Sequence, residues 1–209
     1  MTIGGANTVI EVFADVGCPF THVGLRRFVE HRAAAGRDDV VLWVRAWPLE
    51  IVNGTALDAH FIAEEVDELR RQVAPSLFEG FTEAAFPATS LPPLALAHAA
   101  YGVGSEVGEA VSLELRDLLF ERGVDIARPE VLAEVAARHG VEAGDADSAG
   151  VLADRAEGVD RGVIGSPHFF TPAGGFFCPA LDVSRDEQGH LRILADPDGF
   201  ERFIAGCLA

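Results

Sequence analysis

Lysine is missing from the 209-residue chain: all sixteen basic residues are arginines. That excludes a Schiff-base amine and the lysine of a phosphate-binding loop. Cations of any kind are scarce, because 33 acidic residues bring the formal net charge to −17 and the pI to about 4.6. Such a field repels phosphate backbones and anionic lipid surfaces, so neither nucleic acid nor membrane is expected as a partner. Long apolar runs are absent too. The best stretch, Leu91 to Val103, is interrupted by Pro92, Pro93 and His98 and falls short of the roughly 20 residues a bilayer crossing needs. Residues Met1 to Thr8 have neither a basic nor an apolar leader region.

Cysteine is sparse and odd in number: Cys18, Cys178 and Cys207. This is no disulfide framework, and the three read as free thiols in a reducing, cytoplasmic setting. With the seven histidines they form no CxxC pair and no HxxxH on a helix, so no metal site is expected. Acidic runs such as Glu64, Glu65, Asp67 and Glu68 read as solvated helix faces.

What is present alternates between strand and helix signals. Val9 to Ala14 is β-branched and aromatic, and Asp15, Gly17 and Pro19 mark a turn and a helix start. Apolar residues Val23, Leu25, Phe28 and Val29 then recur at helical spacing up to Gly36, and Val40 to Trp47 reads as a second strand. A right-handed crossover makes these two strands parallel. From Ala56 to about Gly158 the β-branched runs give way to Ala, Glu, Leu and Arg. The pattern predicts helices near 57–73, 75–85, 92–101, 105–121, 128–139 and 148–161, and a short loop over 142–149. Pro167 to Thr171 and Phe176 to Leu181 look like a hairpin, and a helix from Asp198 to Cys207 closes the chain. The expected organisation is therefore a core in two parts, 1–55 and 159–209, around a helical insertion at 56–158.

Cys18 stands where a strand turns into a helix, directly before Pro19. Unpaired amides and the helix dipole favour an anion there, which predicts a lowered thiol pKa. Asp15, at the strand end, is a candidate buried proton acceptor. A second element, Gly162 to Phe170, sets a glycine-flanked Ser166-Pro167 before His168.

Asp15-Val16-Gly17-Cys18-Pro19-Phe20-Thr21, followed far downstream by Gly165-Ser166-Pro167-His168-Phe169-Phe170, resembles the DsbA family. The likeness is to its cytoplasmic branch, beside the kappa-class glutathione transferases and 2-hydroxychromene-2-carboxylate isomerases. Ala46-Trp47-Pro48-Leu49, Leu91 to Ala100 and Leu119 to Ile126 fit the same pattern. The resemblance implies an α/β thioredoxin-like fold with an all-helical insertion, a cis Pro167 and a homodimer. It places Cys18, Pro19 and Thr21 at the catalytic positions and Ser166, Pro167 and His168 around the substrate. His22, Phe20 and Asp15 stand as supporting candidates.

The chain departs from the dithiol members at Thr21, where they carry a second cysteine. An external thiol must then resolve any mixed disulfide on Cys18. Three functions follow. One is a single-cysteine thiol-disulfide oxidoreductase acting on small thiols or disulfides. Another is an isomerase or transferase using glutathione or another low-molecular-weight thiol, with no tightly bound cofactor. The last is a silent binding module.

Overall fold

In the computed structural model the described residues are 8–142 and 148–208. The sequence-predicted loop at 142–149 lies mostly outside them, as do residues 1–7. β1 (Thr8–Ala14) and β2 (Val40–Ala46) are joined by α1 (Pro19–Ala34), and their pairing is parallel, Glu11 opposite Trp43. β3 (His168–Thr171) runs antiparallel on the other side of β1, with Val12 opposite Phe169, and β4 (Gly174–Phe177) completes the order β2-β1-β3-β4. Val12 and Phe13 are fully buried, as a central strand covered on both faces requires.

One face of this sheet is closed by α1 and the last helix, α8 (Pro197–Leu208). Phe203 packs 4.6 Å from Phe169 and 6.0 Å from Phe28, ring centre to ring centre. The other face carries Phe13, Trp47 and α7 (Ser148–Asp160), which approaches so closely that a Cβ on Gly158 would lie 2.7 Å from the Trp47 ring. Among the described residues between β2 and β3 the chain is helical wherever it is regular: α2 (Leu49–Asn53), α3 (Ala59–Gln72), α4 (Leu91–Val103), α5 (Ser105–Phe120), α6 (Pro129–His139) and α7. Their shared core holds Leu96, Val111, Leu115 and Leu119. No helix among the described residues is long and apolar enough to cross a membrane.

Four segments differ from the sequence pattern, the first being the short helix α2, where only a turn was expected. The helix predicted over 75–85 is a series of turns with one 3-10 turn at Glu83–Ala85. Phe78 takes a left-handed φ of 66°, and the amides of Phe78 and Glu79 donate to the Glu121 carboxylate, which draws this segment out of helical pairing. The strand predicted over 176–181 ends at Phe177, because Cys178 has φ 43° and Pro179 follows. Beyond that break the chain forms a separate two-stranded ribbon, β5 (Leu181–Arg185) with β6 (Leu191–Ala195), which had no counterpart in the sequence reading. Ile193 anchors the ribbon: its side chain is buried in the helical core and its N–H donates to the Gln72 side chain at 2.8 Å.

Candidate active site

Cys18 occupies the N-cap of α1, with Pro19 as the first helical residue, where the missing N–H costs nothing. The thiol is only 3% exposed. Its Sγ donates to the main-chain carbonyl of Ser166 at 3.3 Å, so the two motifs meet at the sulfur. The Ser166–Pro167 peptide is cis, and Pro167 packs toward Gly24 of α1.

A chain of hydrogen bonds surrounds this contact. Asp15 N–H donates to Ser166 Oγ at 2.9 Å, and Ser166 Oγ lies 2.9 Å from Thr21 Oγ1. With the Ser166 hydroxyl donating to Thr21, the Thr21 proton is left for Cys18, and both the Thr21 hydroxyl and its amide favour the thiolate. Burial is nevertheless the larger effect and pushes the Cys18 thiol up, with Glu65 of α3 adding to the rise. This corrects the sequence expectation of a lowered pKa: the helix start is there, but the sulfur is desolvated.

Asp15 is completely buried, and burial raises its carboxyl pKa despite three donors, Gly17 N–H at 2.8 Å, Leu49 N–H at 2.7 Å and Ser90 Oγ–H at 3.0 Å. Behind it lies Arg116 of α5, 1% exposed, with Nη2 3.3 Å from the Asp15 carbonyl. Neither Ser90 nor Arg116 stood out in the sequence. The available signal was helical spacing: Arg116 falls with Ser112, Leu115 and Leu119 on one face of the 105–121 pattern, and an arginine on an apolar face is rarely buried without a reason.

Two candidates are placed elsewhere. His22 is turned into the helical core, its Nε2 2.6 Å from Glu121 and its ring between Phe78 and Phe120. Burial lowers the His22 pKa; burial would raise that of Glu121, but His22 and the amides of Phe78 and Glu79 hold the carboxyl at about 2. His168 sits on the α7 face of the sheet, stacked 4.9 Å from Phe170, its Nδ1 accepting from Ile164 N–H at 3.3 Å. Burial lowers its pKa as well. Neither imidazole is brought to the sulfur, because each ring is held by its own partners.

Phe20 and Ser166 border a cleft of about 680 Å³ whose far wall is Cys178, Leu181 and Asp182, with Asp196 at its edge. None of its lining residues is a cation. The Cys178 amide donates to the Pro167 carbonyl at 3.0 Å, which ties this wall to the cis-proline turn. Arg27, farther along α1, has its guanidinium on the carbonyls of Val73 and Ala180. Burial pushes the Cys178 and Cys207 thiols up to about 12, which leaves both protonated at neutral pH. Among the described residues no three His, Cys, Asp or Glu side chains converge as metal ligands.

Residues 9–185 match the model of the DSBA-like thioredoxin domain. The cytosolic disulfide reductase DsbM from Pseudomonas aeruginosa, solved with glutathione, superposes with a TM-score of 0.62 at 18% identity, covering 96% of this chain and 98% of that one. A 2-hydroxychromene-2-carboxylate isomerase gives 0.59 at 15% identity, covering 81% and 88%. A probable DsbA oxidoreductase from Streptomyces coelicolor gives 0.56 at 23% identity, covering 78% and 80%. At these identities the likeness is one of fold. No curated protein matches the sequence.

Proposed function

Because this chain belongs to the DSBA-like thioredoxin family, we propose that it is a thiol-disulfide oxidoreductase working through the single nucleophile Cys18. The observation that carries this reading is the Cys18 Sγ to Ser166 carbonyl contact at 3.3 Å, at a helix start that borders an open cleft. A disulfide entering the cleft displaces that contact, and Ser166 then offers its carbonyl to the incoming ligand as an added strand would.

The Cys18 thiolate attacks one sulfur of the substrate disulfide, forming a mixed disulfide and releasing the other sulfur as a thiolate that takes up a proton. Thr21 stands where the second cysteine of a dithiol site would be. A second, external thiol therefore attacks the mixed disulfide, regenerates Cys18 and carries away the first half as a new disulfide. The external thiol is a low-molecular-weight one, glutathione or a chemical equivalent, which comes and goes as substrate. A reducing, cytoplasmic setting supplies it in excess.

The test is the pH dependence of Cys18 alkylation together with intact mass after exposure to a small disulfide. One adduct on wild-type protein, none on Cys18→Ser, and release of the adduct by added thiol are expected. No adduct at any pH overturns the reading in favour of a silent binding module. Thiol-dependent isomerisation that survives Cys18→Ser transfers the assignment to the isomerase class.

A further inference from the structure

Arg116 is the most anomalous charge in the molecule. Its guanidinium is buried between α5 and the end of β1, and among the described residues no carboxylate lies within ion-pairing distance of it. Its contacts are neutral: Nη1 donates to the Ser112 carbonyl and hydroxyl, both at 2.8 Å, and Nη2 to the Asp15 carbonyl at 3.3 Å. Among the described residues Nε has no hydrogen-bond partner. A buried cation held only by carbonyls and a hydroxyl is costly, and an apolar side chain of similar volume is commonly as stable or more so. Stability alone does not account for it.

The geometry ties this cation to the cysteine. The same Asp15 carbonyl that receives Arg116 Nη2 also accepts the Cys18 N–H, at 3.4 Å, so guanidinium and cysteine share one atom as partner. The acid groups acting on Arg116 are Asp15, Tyr101, Cys18 and Asp117. Asp15 already has three donors on its carboxyl, and the Tyr101 hydroxyl is tied to the carbonyl of Leu42. Asp117 pairs with Arg26. Of these groups Cys18 is the one whose charge changes in the proposed reaction.

We propose that Arg116 is the built-in counter-charge of the Cys18 thiolate, a positioning residue that acts through space and through the Asp15 carbonyl. When the thiol loses its proton to solvent, the sulfur gains a negative charge in a desolvated place where opposite charge is weakly screened. Among the described residues, titratable groups near Cys18 include Asp15 just past β1, Glu65 on α3 and Cys178 beyond β4, and any charge these carry is negative. Arg185 faces Glu65 and Arg27 faces Cys178, whereas Arg116 is the cation whose field acts on Cys18 and Asp15 themselves.

The inference rests on Cys18 as nucleophile but is tested by ionisation. Arg116→Met, Arg116→Gln and Arg116→Lys are compared with wild type by the ultraviolet absorbance of the thiolate, taken as the difference from the matching Cys18→Ser protein, and by alkylation rate. Met and Gln should move the titration to higher pH and slow alkylation at fixed pH on the order of tenfold. Lys should restore most of both. The melting temperature of the Met variant should be unchanged or higher. A folded Met or Gln variant that titrates and alkylates like wild type overturns the proposal, as does a Lys variant no better than Gln. Should Met fail to fold, Gln, which keeps a donor for Asp15 and Ser112, decides alone. A wild-type Cys18 that ionises but forms no adduct would instead overturn the oxidoreductase reading and leave this one standing.

Discussion

At the residue scale, the departure of Thr21 from a second cysteine keeps a use for that position. A hydroxyl there closes the path from Asp15 N–H through Ser166 Oγ to the sulfur, whereas a second thiol would compete for the mixed disulfide. Thr21→Val keeps the shape and removes the donor. It should shift Cys18 ionisation to higher pH, slow alkylation near neutrality about three- to tenfold, and cost about 1 kcal/mol of stability from the hydroxyl of Ser166 left without its partner. Stopped-flow alkylation and urea unfolding check the two parts separately. An alkylation profile identical to wild type would remove Thr21 from the site.

At the scale of elements, the helical layer supplies more than a lid. α5 brings Arg116 to the turn below Cys18, and α3 brings Glu65 near the sulfur. Burial raises the Glu65 carboxyl to about 7 from an ordinary 4.5, with Arg185 opposing. The folded state therefore holds a proton that the unfolded chain has already lost in this range. The stability Glu65 lends is complete below about pH 4.5 and disappears as pH rises through about 7. Glu65→Gln should abolish that loss, on the order of 2 kcal/mol between pH 5 and 8. It should also speed Cys18 alkylation at neutral pH by removing a negative charge. Thermal melts across pH for both proteins test it, and parallel curves would refute the assignment.

At the scale of the whole molecule, a net charge of −17 and a cleft bordered by Asp182 and Asp196 without a lining cation oppose anionic substrates. Relative to their rates with 2-mercaptoethanol, cystamine should react with Cys18 faster than hydroxyethyl disulfide, and oxidised glutathione slowest. The spread should narrow as salt shortens the Debye length, roughly 10 Å at 0.1 M. Equal rates at low salt would show that neither the field nor the cleft selects by charge.

The parallel β1-α1-β2 unit, α3 to α7 and the closing helix were legible in the sequence. Alternating β-branched runs and 3.6-residue periodicity are local properties that each segment carries alone. So were Cys18 and Ser166-Pro167 as a pair, because their order along the chain resembles a known family. The helix expected over 75–85 was not, since its amides go to Glu121 some forty residues away. Nor was the β5-β6 ribbon, whose residues are mostly exposed and which is held by Ile193 and Gln72. Composition and motif order determined the family, the missing second cysteine and the excess of negative charge. Only the tertiary structure decided that the thiol is desolvated rather than lowered by its helix, that His22 and His168 are held elsewhere, and that Arg116 lies behind it. Burial and electrostatics depend on which distant segments surround an atom, and one-dimensional patterns do not contain that.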